Sequence, residues 1–391
     1  MHTIDYSADQ LLRRLFSVSG RRDPYPWLNR LREEHPVHRT ESDVVVFSEY
    51  ATVSAITRDP VFAVKDATWL DEHLLGWRDN AGMRLFYTSP VVHNGQNHQR
   101  LRRAMAPAFV PARHRRLTQV MSRELENRLD ALGARADLHT DLTLPMTLAV
   151  ICEVTGLPVE QGVRVYELIQ PLLGLLDPYV SARKADSAHE AAVELEPYLS
   201  ALVAGSRRTL RDDLVSRVST LADEEAVPAL FLALAAGFDT TITLLDNMIR
   251  ALLAGAERPV APDANAVVNE TLRYDPPLQL ITRVARADTT VAGTRLAAGQ
   301  EVMALLAAAQ RDPAWFTDPD TFRLDRPAIP LVAFGGGAHY CLGAQLAKLA
   351  ATLMLPALSR RYPRMRVAGA PQPNNRITLR GWTTVPVVLE P

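Results

Sequence analysis

The sequence predicts a mainly α protein of 391 residues, read as one domain (1–391) with a long central helix and small peripheral β-sheets. Three observations carry that prediction. Apolar residues recur every three to four positions over nine segments, the mark of helices with a buried face. Strand signals are few and short. No repeat, low-complexity tract or Gly/Ser linker divides the chain.

In chain order, helical spacing covers 11–16, 27–34, 99–106, 111–132, 142–155, 187–202, 227–254, 265–274 and 344–361, with 227–254 the longest. Strands are expected at 44–47, at 289–296 across a Gly-Thr turn, at 301–305 and at 377–388. Breakers mark loops at 69–96, 157–178 and 311–337. The third is long and structureless, and such a loop inside a domain usually carries function.

Composition excludes several classes. Hydrophobic residues make up 47% and charged residues 22%, and 43 basic side chains face 44 acidic ones, so the chain is an ordinary globular protein with no electrostatic pull toward nucleic acid or an anionic membrane. The first ten residues lack a secretory pattern and no run reaches the apolar length of a membrane span, so a cytoplasmic protein is expected. Two cysteines, Cys152 and Cys341, are too few for a disulfide framework or a Cys-x-x-Cys zinc site.

The sharpest feature is F-G-G-G-A-H-Y-C-L-G, residues 334–343, running straight into the helical stretch 344–361. Glycines permit backbone conformations and approaches that side chains forbid, and a cysteine at a helix start is favoured as thiolate, hence as metal ligand or nucleophile. A phosphate loop would need Gly-Lys-Ser/Thr and a dinucleotide fingerprint a different glycine spacing; neither is present. A lone intracellular cysteine is ordinarily a small buried hydrophobe, which leaves the glycines and His339 unexplained. A nucleophile would want a base, and His339 lies two residues away. The remaining reading is a single thiolate on a haem iron, with the glycines giving a porphyrin face room.

The pattern Phe-x-x-Gly-x-x-x-Cys-x-Gly, at Phe334, Gly337, Cys341 and Gly343, resembles the haem-binding loop of the cytochrome P450 family. The resemblance spans nearly the whole chain. Glu270-Thr-Leu-Arg273, 71 residues before Cys341, resembles the family's Glu-x-x-Arg, which implies a buried structural pair joined by an arginine of the following loop, here Arg326. A-G-F-D-T-T, residues 236–241, resembles the oxygen-activation motif. There Gly237 permits close approach of a ligand, and Asp239 and Thr240 form the catalytic acid–hydroxyl pair that delivers protons to dioxygen.

Haem b carries two carboxylates whose burial requires cations; His98 and Arg102, Arg283 and His339 match the family's propionate-binding positions. Two departures stand out. Residues 94–97, N-G-Q-N, replace an acidic, proline-containing run, and the interval from Thr240 to Glu270 is a few residues short, which the resemblance attributes to trimming at 255–262 and which implies a shortened connecting helix.

The resemblance implies a haem-thiolate monooxygenase, with Cys341 as axial ligand, that uses dioxygen to hydroxylate or epoxidise a hydrophobic small molecule, with a polyketide-like natural product as the family-level expectation. It also implies an external electron supply, a ferredoxin served by a flavin-dependent ferredoxin reductase, docking on Arg100–Arg103, Arg113–Arg116 and Lys348. A monomer is expected. The pocket should be apolar, with Trp69, Trp77, Phe86, Tyr87 and Trp382 as aromatic candidates and Arg78, Arg84 and Arg380 as candidate anchoring charges. The same centre could instead serve oxidative coupling, cyclisation or peroxide-driven oxidation, or a non-catalytic haem sensor.

Overall fold

Strand alternation at residues 45–47 organises the first part of the computed structural model, which describes residues 6–110, 114–208, 211–254 and 263–390. Contacts group the chain into two units: Met1–Val64 with Asn269–Cys341 and Pro373–Arg380, and Lys65–Val268 with Leu342–Gln372 and Gly381–Pro391.

In the first unit, Val37–Arg39, Val45–Phe47, Glu301–Ala304, Ile281–Ala285 and Phe62–Ala63 form one sheet in that order, antiparallel except for the parallel pairing of Val45–Phe47 with Glu301–Ala304. Side chains along a strand alternate between faces. Val45, Phe47, Val302 and Ala304 therefore join one core with Val53, Ile56 and Phe316, and Val46 and Met303 join another with Leu11, Leu28 and Leu31. Each face of the sheet is closed by helix, Tyr50–Arg58 on one side, Ala8–Phe16 and Tyr25–Glu34 on the other. The hairpin Thr289–Val291/Thr294–Leu296 turns at Ala292 and Gly293, both at positive φ, the backbone that a tight two-residue turn demands.

The second unit is built on helices Gly95–Met105, His114–Ala131, Leu144–Thr155, Ala182–Ser206, Asp223–Ala254 and Ala344–Arg361, with a small sheet of Arg135–Asp137, Pro386–Val388 and Arg366–Val367. Asp223–Ala254 is long and apolar enough to cross a membrane, contrary to the sequence expectation, but 78% of its most apolar window is buried among the other elements, as befits a core helix.

Two of the three expected loops contain helix. Ala67–His73 and Ala81–Tyr87 start where Asp66 and Asn80 accept backbone N–H bonds as N-caps, and Gly162–Leu172 occupies the second. The third, 311–337, is irregular as expected up to the short turn Gly337–His339. The expected strand 377–388 is confined to Trp382–Thr384 and Pro386–Val388. The N-G-Q-N stretch opens helix Gly95–Met105, with Asn94 bonded to Asp66 at 2.9 Å. The trimmed interval 255–262 lies outside the described residues.

What holds the irregular segment is a buried ion cluster. Glu270 takes two bonds from Arg273, Nε to Oε2 at 2.8 Å and Nη2 to Oε1 at 2.7 Å, and one from Arg326 Nε at 3.0 Å. Arg273 also donates to the carbonyls of Gln310, Pro319 and Thr321, and Arg326 to those of Asp318 and Thr321. An irregular segment has no ladder for its carbonyls, and fixed guanidinium forks supply the donors instead. Glu270→Ala would leave one buried and one partly buried guanidinium without their carboxylate at a cost of about 3–5 kcal/mol; urea unfolding should show that loss, and a stability within 1 kcal/mol of wild type would refute the cluster's role.

Candidate functional site

The glycine loop of the first unit closes on itself. Cys341 N–H donates to the Phe334 carbonyl at 3.0 Å, and Gly335 N–H to Val332 at 2.8 Å. Gly335 and Gly337 sit at φ +69° and +58°, in the left-handed region that side chains avoid. A Cβ on Gly336 would lie 2.7 Å from Arg58 Cγ, and one on Gly337 3.1 Å from the Arg58 carbonyl. These glycines therefore let the loop press onto the end of helix Tyr50–Arg58. Gly343, by contrast, faces open space, since a Cβ there would meet nothing within 4 Å.

Cys341 itself is exposed, whereas Cys152 is buried and its thiol is pushed up to about 12 by that burial. Of the two, only Cys341 has an accessible sulfur three residues before a long helix, the setting that favours a thiolate ligand. Sequence reasoning missed Gln310: fully buried, it accepts from Val332 N–H at 3.0 Å and donates to the Leu272 carbonyl, tying the loop's approach to the helix that carries Glu270.

Arg283 projects from strand Ile281–Ala285, and burial lowers its pKa to about 10. Its guanidinium donates to the Thr282 carbonyl at 2.8 Å and faces no carboxylate among the described residues. A desolvated cation without an anion is costly, and an acidic ligand group is what would complete it. His339 lies half-buried on the turn Gly337–His339.

In the second unit, His98 and Arg102 lie one turn apart on helix Gly95–Met105. Burial, then the charge of Arg102, lowers the His98 pKa. Arg102, half-buried, pairs with no carboxylate among the described residues. Arg283 in the first unit, and His98 with Arg102 in the second, are each cations of the kind that a buried carboxylate ligand needs, and the exposed thiol of Cys341 is a donor of the kind that a haem iron takes.

On the long helix, Thr240 Oγ donates back to the Ala236 carbonyl. Asp239 is buried, and its Oδ1 accepts from Gln170 Nε2 at 3.0 Å. Gln170 was invisible to sequence reasoning because its partner is 69 residues away. Gly237 has a packing reason: a Cβ there would sit 2.8 Å from Ile151 Cδ1.

Several pocket assignments are corrected. Arg78 is bonded to Asp71 at 2.8 Å, Arg84 to Glu196 at 3.2 Å and Arg380 to Asp275 at 2.5 Å, so none of the three is an idle anchor for substrate. Trp77 is buried with its N–H on Asp71, and Trp382 is buried with its N–H on Asn247 and Arg250 stacked 3.4 Å over its ring; both are core. Trp69 stacks on His73 with ring centroids 4.1 Å apart. Among the basic residues of the expected docking face, Arg100 is paired with Glu225 and Arg116 with Glu153, and Arg113 lies outside the described residues.

A family model described as Cytochrome P450 matches residues 256–376. The chain is 31% identical to the cytochrome P450 monooxygenase PikC of Streptomyces venezuelae, over 93% of this chain and 91% of that one. It is also 31% identical to the cyclomarin C epoxidase CymV of Salinispora arenicola, over 91% and 93%. The crystal structure of ligand-free CYP164A2 from Mycobacterium smegmatis superposes with a TM-score of 0.89 at 32% identity, covering 98% of this chain and all of that one. With a full-length fold match, this level of identity and a glycine loop ending in an accessible thiol, the chain belongs to the cytochrome P450 family, the haem-thiolate monooxygenases.

Proposed function

We propose that Cys341 is the axial haem ligand and that the enzyme hydroxylates or epoxidises a lipophilic natural product of polyketide-like character. The observation that carries this reading is the Asp239–Thr240 pair, an acid and a hydroxyl held by Gln170 and the Ala236 carbonyl on the long, mostly apolar helix. Haem, when bound, supplies the redox chemistry of dioxygen, and thiolate ligation favours O–O cleavage. The chain's own residues do the rest. When haem is bound, Arg283, His98, Arg102 and His339 are the residues that would hold its propionates. Thr240 Oγ, already committed as donor to Ala236, offers its lone pairs to a water, and Asp239 Oδ2 moves a proton to that water. The name of CymV, an epoxidase of cyclomarin C, supports the choice of chemistry. We read 1–391 as one cytoplasmic, monomeric P450 domain.

An intact acid–hydroxyl pair favours oxygen insertion over coupling or peroxide-driven use of the same centre. For electron supply we propose a ferredoxin with its flavin-dependent reductase, docking on the exposed Arg103 and Arg115 and on Lys348, whose ammonium is half-buried and whose pKa is lowered by that burial.

Three measurements test this reading. The reduced protein under carbon monoxide should show the red-shifted Soret band of thiolate ligation, and Cys341→Ser should lose it; a histidine-type band in wild type would contradict the assignment. Thr240→Ala and Asp239→Asn should release roughly tenfold or more peroxide per dioxygen consumed, in line with the usual size of a proton-transfer contribution; full coupling in both would remove the relay. Reversing Arg103 and Arg115 to Glu should slow reduction by ferredoxin several-fold and flatten its salt dependence, since docking charges act on association; unchanged reduction would reject the docking site.

A further inference from the structure

The buried face of helix Asp223–Ala254 is apolar for most of its length, and against that background it carries Asp239, Thr243 and Asp246, all buried. Spacings of four and three residues set the three in one row. At 1.5 Å per residue the two carboxylates stand about 10 Å apart along the axis, with the hydroxyl between them.

Buried carboxylates need partners. Asp239 has the Gln170 amide. Asp246, wholly inaccessible, meets His139 Nδ1 at 2.8 Å and accepts from Thr143 Oγ at 2.7 Å. A single π-helical turn, His139–Thr143, brings both partners to one carboxylate, and such turns recur at functional sites.

Burial alone would lower the His139 pKa, but the bond to Asp246 and the charges of Asp246, Asp137 and Asp239 together raise it. Burial likewise raises Asp246, against the bonds from His139 and Thr143. The couple thus holds a proton to higher pH than a free imidazole does. The other charged groups on the elements packed against this turn are mostly paired or exposed. Strand Trp382–Thr384 has no titratable group, and the one acid of helix Leu144–Thr155, Glu153, is paired with Arg116. On helix His114–Ala131, Glu124 is paired with Arg128, Asp130 with Arg361 and Arg116 with Glu153, leaving Arg115, Arg123 and Glu126, all exposed, and Arg135 of strand Arg135–Asp137 is exposed as well.

We propose that the His139–Asp246 couple is the proton store that recharges Asp239, with the Thr243 hydroxyl as the link; this rests on the reading of Asp239 as proton carrier. One proton leaves the couple and passes through Thr243 Oγ and an intervening water to the Asp239 carboxylate, which has given its own proton toward Thr240. The couple regains a proton from solvent at the imidazole, which keeps a tenth of its side chain exposed where Asp246 keeps none.

The test uses haem-loaded protein. In the diamagnetic reduced carbon monoxide complex, the His139 ring nitrogens, identified by their loss in His139→Gln, are titrated by NMR. The midpoint should lie above the free-imidazole value and move down in Asp239→Asn; an identical midpoint in that variant overturns the proposal. In NADH-driven turnover without added substrate, His139→Gln and the near-isosteric Thr243→Val should each raise the peroxide fraction several-fold below the wild-type midpoint and flatten its pH dependence. Wild-type peroxide fractions in both, with Asp239→Asn elevated, overturn the store while sparing the carrier. An unelevated fraction in Asp239→Asn removes the carrier, and the store with it.

Discussion

One buried carboxylate, Glu270, constrains the segment that leads to the reactive sulfur. It is clamped by two guanidiniums, and those same guanidiniums reach the carbonyls of Gln310, Asp318, Pro319 and Thr321. A stretch of chain with neither helix nor strand would ordinarily be mobile, because nothing within it satisfies its backbone. Here arginine side chains supply the missing donors, so the segment before Cys341 is fixed without being regular. Removing the acid would leave the clamp's own charges unpaired, which is why the cluster behaves as a unit.

The same economy of charge distinguishes structural cations from those left for a ligand. Arg78, Arg84, Arg100, Arg116 and Arg380 each face a carboxylate. Arg283 and Arg102 face none among the described residues, and burial already weighs on Arg283. At each of these two cations an acidic ligand group would supply the missing anion, in line with the haem carboxylates proposed above. On the long helix the argument runs with the opposite sign: acids in an apolar setting are each given donors, Gln170 for one and His139 with Thr143 for the other.

Much of this was legible in the sequence because it is local. Helical periodicity places Ala344–Arg361 to the residue, the spacing of Glu270 and Arg273 puts them on one helical face, and the threonine within a buried helix announces its back-bond to Ala236. Short helices escaped because their starts depend on capping by Asp66 and Asn80 rather than on several turns of apolar repeat. Partners separated by a hundred residues, such as His139 and Asp246, leave no mark on periodicity or spacing. The glycines were recognised as a loop signal, but only geometry separates Gly336 and Gly337, which meet Arg58, from Gly343, which faces open space.

The account stands or falls on the identity of the atom bound to iron. Anomalous diffraction at the iron edge, from crystals of the haem-loaded protein, locates the metal without assumptions about its ligands. The peak should lie at bonding distance from the sulfur of Cys341, with the carboxylates of the porphyrin directed to Arg283 and to His98 and Arg102. A peak bonded to another side chain, or one remote from residue 341, would contradict it.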